Sequence, residues 1–264
     1  DFCLSRGLGD VYKRQVWTNN VWEAPEGMGS LRGISERDGA CAINFFSNQP
    51  ALNYGFYQPD PEKPWQQSFD DEGPQATLAA MEDVMRFWLN MGCDGFRVDM
   101  AGSLVKNDQE GKGTIRLWQT IRPFLDKEFP EAAMVSEWGE PDKSLQAGFD
   151  MDFLLHFGPS HYNDLFRCEE PYFSTRGKGS AAAFVKNYKE SRKKAGEKGL
   201  ICIPSGNHDM DRLAIYDQCS DRIGYDQCQR NHKDHTALDL FSHTLFHIIT
   251  CLLYTSPSPR DRQK

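Results

Sequence analysis

Three observations predict an α/β chain built on a parallel sheet. Short apolar strand candidates alternate with amphipathic helix candidates from Gln75 onward, and polar residues collect at the strand C-termini. No glycine-rich phosphate loop accompanies them. A (β/α)8 barrel accommodates the pattern best, because its sites draw residues from the C-terminal ends of several strands. A doubly wound open sheet is the alternative.

Taken in order, residues Val16 to Pro74 are rich in Gly, Pro, Asn and aromatics, with a strand candidate from Cys41 to Phe46; they read as a loop-rich excursion. Leu78, Met81, Met85 and Trp88 then recur at helical spacing, and Gly92 stops the helix. Cys93 to Met100 is a strand. Ile115 to Phe129 is a helix with Leu117, Ile121 and Leu125 on one face and Pro123 placed to kink it. Strands follow at Ala133 to Trp138, Phe149 to Leu155 and Leu200 to Pro204, with helices at Ala181 to Lys194 and Leu238 to Ile249.

With 264 residues and 39% hydrophobic composition, the chain has enough apolar surface for a core. A net charge of -8 without a long basic stripe argues against a nucleic-acid partner. The basic run Lys186, Lys189, Arg192, Lys193, Lys194 and Lys198 reads as a solvated helix face. No run of about 18 apolar residues suggests a membrane span. Cys93 and Cys202 lie at apolar strands, where a small buried thiol is expected. Cys41, Cys168, Cys219 and Cys228 form no close CxxC pair, which argues against zinc and gives no support to a disulfide framework. This cysteine usage points towards a reducing, cytoplasmic setting. Ser5 to Gln15 and Leu252 to Asp261 resemble translated sequencing-adapter scars and are set aside from the fold reasoning.

The chemistry begins at Gly95-Phe96-Arg97-Val98-Asp99-Met100, an apolar strand with an arginine and an aspartate two positions apart, hence on one side of a mostly buried element. Charges there require a reason. Glu137 ends the next strand, followed by Trp138, an aromatic able to cover a sugar face. Asn207-His208-Asp209 follows Gly206 beyond the strand at Leu200, with Arg212 close behind. Two carboxylates can divide glycosidic chemistry, one attacking the anomeric carbon and one protonating the leaving oxygen. Arg97 stands where it would hold Asp99 ionised. Glu140 is the rival proton donor, a structural Arg97–Asp99 pair is the plainer reading of that segment, and a metal site at His208 and Asp209 is a further alternative.

These motifs resemble the α-amylase superfamily, glycoside hydrolase family 13. The resemblance implies a partial (β/α)8 barrel covering about strands four to seven, preceded by part of a loop-rich inserted domain. It implies a nucleophilic Asp99, an acid/base Glu137 and a transition-state-stabilising Asp209, with Arg97 orienting the nucleophile and His208 binding sugar hydroxyls. Gln49-Pro50-Ala51-Leu52-Asn53 resembles the QPDLN stretch of the oligo-1,6-glucosidase and α-glucosidase branch, departing from it at Ala51. Arg212 completes an NHDxxR pattern common among enzymes of short α-glucosides, and Gly102 and Ser103 replace the Lys-His of many endo-acting amylases. The implied division is 1–15 adapter-like, 16–74 the end of the inserted domain, 75–250 partial barrel and 251–264 adapter-like.

The expected activity is retaining hydrolysis of α-glucosidic bonds in short malto- or isomalto-oligosaccharides. The alternative within the superfamily is glucosyl transfer or isomerisation of the sucrose or trehalose type. Outside it stands a non-catalytic carbohydrate-binding protein. The chemistry is expected to need no cofactor, and the resemblance leaves room for structural calcium in a full-length parent without ligands identifiable here.

Overall fold

The computed structural model describes residues 14–23, 28–32, 39–44, 49–155, 160–166, 172 and 180–204. The helix expected at 238–249 lies outside them. Contacts divide the chain into two compact units, one of residues 1–136 and 146–149, the other of residues 137–145 and 150–264.

The first unit opens with an antiparallel pair, β1 (Gly29–Leu31) and β2 (Cys41–Ile43), in the register Ser30 opposite Ala42. Val16, Ala42, Ala51 and Phe56 form its local core, with Met28 and Trp65 packed against them. Arg14 and Gln15, the last two residues of the adapter-like stretch, take part: the Asn53 amide donates to the Arg14 carbonyl at 2.7 Å, and Gln15 bridges Leu52. The Gln15 side chain is buried as well, its Oε1 accepting from the Cys41 thiol at 3.6 Å.

Helix α1 (Glu72–Asn90) buries Leu78, Met85 and Leu89 and ends at Gly92, whose φ of 96° suits glycine. Trp88, expected on the buried stripe, is instead 46% exposed; the stripe passes through Leu89. Strand β3 (Gly95–Val98) runs parallel to β4 (Ala133–Ser136), pairing Arg97 with Val135. Gly95 adopts φ 150°, and a Cβ there would meet the Ala133 carbonyl oxygen at 2.0 Å, so glycine is required for the close approach.

Between these strands, α2 (Lys112–Glu128) lays Leu117, Trp118, Ile121 and Leu125 into the core. Each such burial contributes about 1.5–3 kcal/mol. The helix starts three residues before its expected Ile115 because the Asp108 carboxylate accepts the Thr114 amide at 2.7 Å and satisfies an N-terminal donor. It continues through Pro123.

The second unit contains most of α3 (Pro141–Ala147), then β5 (Met151–Phe153), α4 (Asn163–Phe166), α5 (Ala182–Ala195) and β6 (Leu200–Cys202). β5 and β6 are parallel, pairing Asp152 with Ile201. Leu145, Leu154, Leu165, Phe184 and Ile201 form the core. The lysines of α5 are exposed as expected, and Arg192 donates to the carbonyls of Gly199 at 2.8 Å and Glu197 at 3.0 Å, closing the turn into β6.

The strand order follows the chain from β3 to β6, and the described ladders among them are parallel with helices intervening. This is the partial α/β barrel arrangement that the alternation predicts. Two expectations change at β3. The strand was expected to be mostly buried, yet Arg97 and Asp99 are exposed, and so is Cys93, expected as a buried thiol. β3 stands at the end of the strand order, with no further strand beyond it among the described residues. Cys41 and Cys202 are buried.

Candidate active site

Asp99 is the first residue past β3, where the strand's last ladder pair, Val98 with Ser136, has ended. The Arg97 Nη1 donates to Asp99 Oδ1 at 2.5 Å, with the two side chains 36% and 61% exposed. Two-residue spacing along a strand puts both groups on one side and makes this bond geometrically natural. The guanidinium bond restricts the rotation of the Asp99 carboxyl group.

The loop after Asp99 is held at several points. Met100 takes a left-handed conformation at φ 46°, and its carbonyl accepts the Ser103 amide at 3.1 Å and hydroxyl at 3.0 Å. The buried Trp118 indole donates to the Ala101 carbonyl at 2.9 Å. Lys106 Nζ donates to the Ser103 carbonyl at 2.9 Å and to Asn44 Oδ1 at 3.2 Å. Burial lowers the Lys106 ammonium from the ordinary lysine range to about 8. Its backbone is paired too, with its amide on the Gly55 carbonyl and its carbonyl accepting the Tyr57 amide.

Glu137 is the first residue past β4 and is half-buried. The next two amides, of Trp138 and Gly139, donate to Asp152 Oδ1 at 3.1 and 3.4 Å. Trp138 is buried and so packs as core. Glu140 has a different setting: its carboxylate meets Lys143 Nζ at 2.8 Å, and its carbonyl accepts the amides of Lys143 and Ser144 at the start of α3. His208, Asp209 and Arg212 lie outside the described residues. Asp99 and Glu137 each stand one residue beyond a parallel strand, inside the longer strands that the sequence predicts.

Asp152 and Lys106 carry no signal in the motif reading. Asp152 could have been found by the argument that singled out Arg97 and Asp99, since it is a charge set within the apolar strand Met151–Phe153. Lys106 could not, because its partner Asn44 is 62 positions away. Among the described residues, no group of three or more His, Cys, Asp or Glu is placed to hold a metal ion, and no helix is long and apolar enough to cross a membrane.

Parallel strands with helices between them and carboxylates just past two strand ends define a partial barrel-type α/β class of protein. The sequence matches are to trehalose synthases, in keeping with the resemblance to the α-amylase superfamily that the motifs carry. The chain is 35% identical over 99 residues to the trehalose synthase/amylase TreS of Mycobacterium tuberculosis, covering 35% of this chain and 13% of that protein. It is 31% identical over 130 residues to TreS of Mycolicibacterium smegmatis, covering 43% and 18%. With the trehalose synthase of Pimelobacter the match is 27% over 124 residues, covering 46% and 17%. The chain thus spans 13–18% of the length of these relatives. No protein-family profile matches it.

Among solved structures, the α-glucosyl transfer enzyme XgtA aligns with TM-score 0.51 and 16% identity, over 78% of this chain and 40% of that one. A MutB mutant from crystals soaked with trehalulose aligns at 0.50 and 16%, over 78% and 38%. These two likenesses concern the fold.

Proposed function

We propose that the chain is the part of an enzyme that carries the reacting carboxylates for moving an α-glucosyl unit between sugar hydroxyls. The observation that carries this reading is the sequence match to trehalose synthases, which favours transfer or isomerisation over the simple hydrolysis expected from the motifs alone. Both outcomes share a first step. Asp99 attacks the anomeric carbon and the bond to the leaving oxygen breaks as Glu137 delivers its proton, leaving a glucosyl ester on Asp99.

In the second step Glu137 takes the proton from the incoming nucleophile, which attacks the same carbon and releases Asp99. Water gives hydrolysis. A sugar hydroxyl gives transfer, and the departed glucose returning through a different hydroxyl gives an isomer. The roles of Asp209 in stabilising the transition state, and of His208 and Arg212 in holding sugar hydroxyls, follow from the motif resemblance. The Arg97–Asp99 bond supports an ionised, oriented nucleophile. Glu137 is preferred to Glu140 because it follows β4 directly and stands where the motif resemblance puts the acid/base residue.

Product analysis of the whole protein with maltose, sucrose and trehalose tests the reading. The expected result is formation of an isomeric disaccharide or a transfer product ahead of free glucose. Release of glucose alone would restore hydrolysis as the activity. Binding of these sugars with no product would replace the enzymatic reading with carbohydrate binding.

A further inference from the structure

We infer that Asp152 is a positioning residue that sets the backbone of the turn carrying Glu137, and through it the aim of the glycosidic proton donor. The inference rests on the role proposed above for Glu137. Asp152 is the middle residue of β5 and is fully buried. Its Oδ1 accepts two consecutive amides, those of Trp138 and Gly139. The Trp138 amide shares its rigid peptide plane with the Glu137 carbonyl, so this bond fixes the ψ rotation of Glu137 itself.

The turn is shaped to deliver both amides to one oxygen. Successive N–H groups converge on an anion when the backbone changes hand between residues, and Gly139 supplies the left-handed member at φ 76°. A Cβ at this position would meet Leu155 Cδ1 at 2.7 Å, so the Leu155 side chain packs closely on the turn. A carboxylate removed from water is costly unless hydrogen-bonded, whereas its bonds to amide donors are stronger than those of a neutral acceptor. The acidic side chain inside this short strand is thus held through its Oδ1 by the two amides it grips.

Amide hydrogen exchange on the 264-residue chain reads the clamp directly. Asp152→Leu should raise exchange at Trp138 and Gly139 at least about tenfold over any change in β5 and β6. Asp152→Asn, which retains one oxygen acceptor, should preserve most of the protection. Unchanged exchange in the Leu variant, or a uniform rise across β5 and β6, overturns the inference. If the Leu variant does not fold, Asp152→Asn decides: its weaker acceptor should shift the Trp138 and Gly139 amide protons upfield together, and no shift overturns the clamp.

In the whole protein, Asp152→Leu should lower turnover of a natural α-glucoside about 100-fold with KM nearly unchanged, while sparing an aryl α-glucoside whose leaving group needs little acid assistance. Asp152→Asn should recover much of the loss. Equal losses on both substrates overturn a role acting through the donor. Glu137→Gln, measured alongside, keeps the two readings apart. If it leaves natural-substrate turnover intact, the role of Glu137 falls, while the exchange data still decide whether Asp152 holds the turn.

Discussion

Asp99 follows β3 on an exposed stretch and is gripped by a side chain, the Arg97 guanidinium, whereas Glu137 follows β4 in a turn gripped through its backbone by the buried Asp152. An exposed ion pair contributes only about 0–1 kcal/mol to stability, so the Arg97–Asp99 bond adds little to folding. The Asp152 clamp couples orientation to the packed interior. The difference shows two ways to aim a carboxylate: steer the side chain where it stands in solvent, or fix the peptide plane from which it hangs.

The largest expected effect tests the first of these regions. Asp99→Asn in the whole protein should reduce turnover about 10,000-fold or more even with an activated aryl α-glucoside, because the nucleophile itself is gone. A rate within tenfold of the unmodified enzyme would remove Asp99 from the chemistry. Arg97→Met should cost about 100-fold in turnover by misaligning that nucleophile, yet shift Tm by only about 2 °C or less. A large fall in Tm would make the pair structural and erase the contrast with Asp152.

On the other side, Gly139→Ala should destabilise the fold by about 1–3 kcal/mol, since it forces a side chain into a left-handed conformation against Leu155. A denaturant midpoint equal to that of the unmodified chain would show that the turn yields freely. The smallest effect concerns Lys106. It titrates at about 8 when folded, below its ordinary 10.5, so the unfolded chain holds more protons between those values. Its contribution to stability therefore rises as pH increases from about 8 to 10.5. Lys106→Met should flatten that rise in Tm; parallel pH profiles would show that the ammonium is not desolvated.

Much of the α/β architecture was legible because local chemistry and tertiary burial agree there. Leu117, Ile121 and Leu125 keep helical spacing and are buried, and Gly92 ends α1 as its permissive backbone predicts. Trp88 misled because helical spacing identifies a face without saying how far around the helix the covering surface reaches. Cys93 misled similarly, since apolar strand character does not reveal which strand stands at the end of the order. In the candidate site, the positions of Asp99 and Glu137 next to β3 and β4 were readable from the apolar runs before them. Asp152 was hidden by its lack of a motif, and Lys106 by the long excursion of chain that brings Asn44 to it.

The bond from the Trp118 indole to the Ala101 carbonyl gives the molecule a built-in reporter. Ala101 sits two residues beyond Asp99, so a displacement of that loop on esterification would stretch a bond whose proton belongs to a buried ring. The indole nitrogen resonance of Trp118 should consequently register the arrival and departure of a glucosyl group without any attached dye. Only six tryptophans share the chain, few enough for each signal to be assigned by single substitution. Reactions could then be followed in real time from the neighbourhood of Asp99.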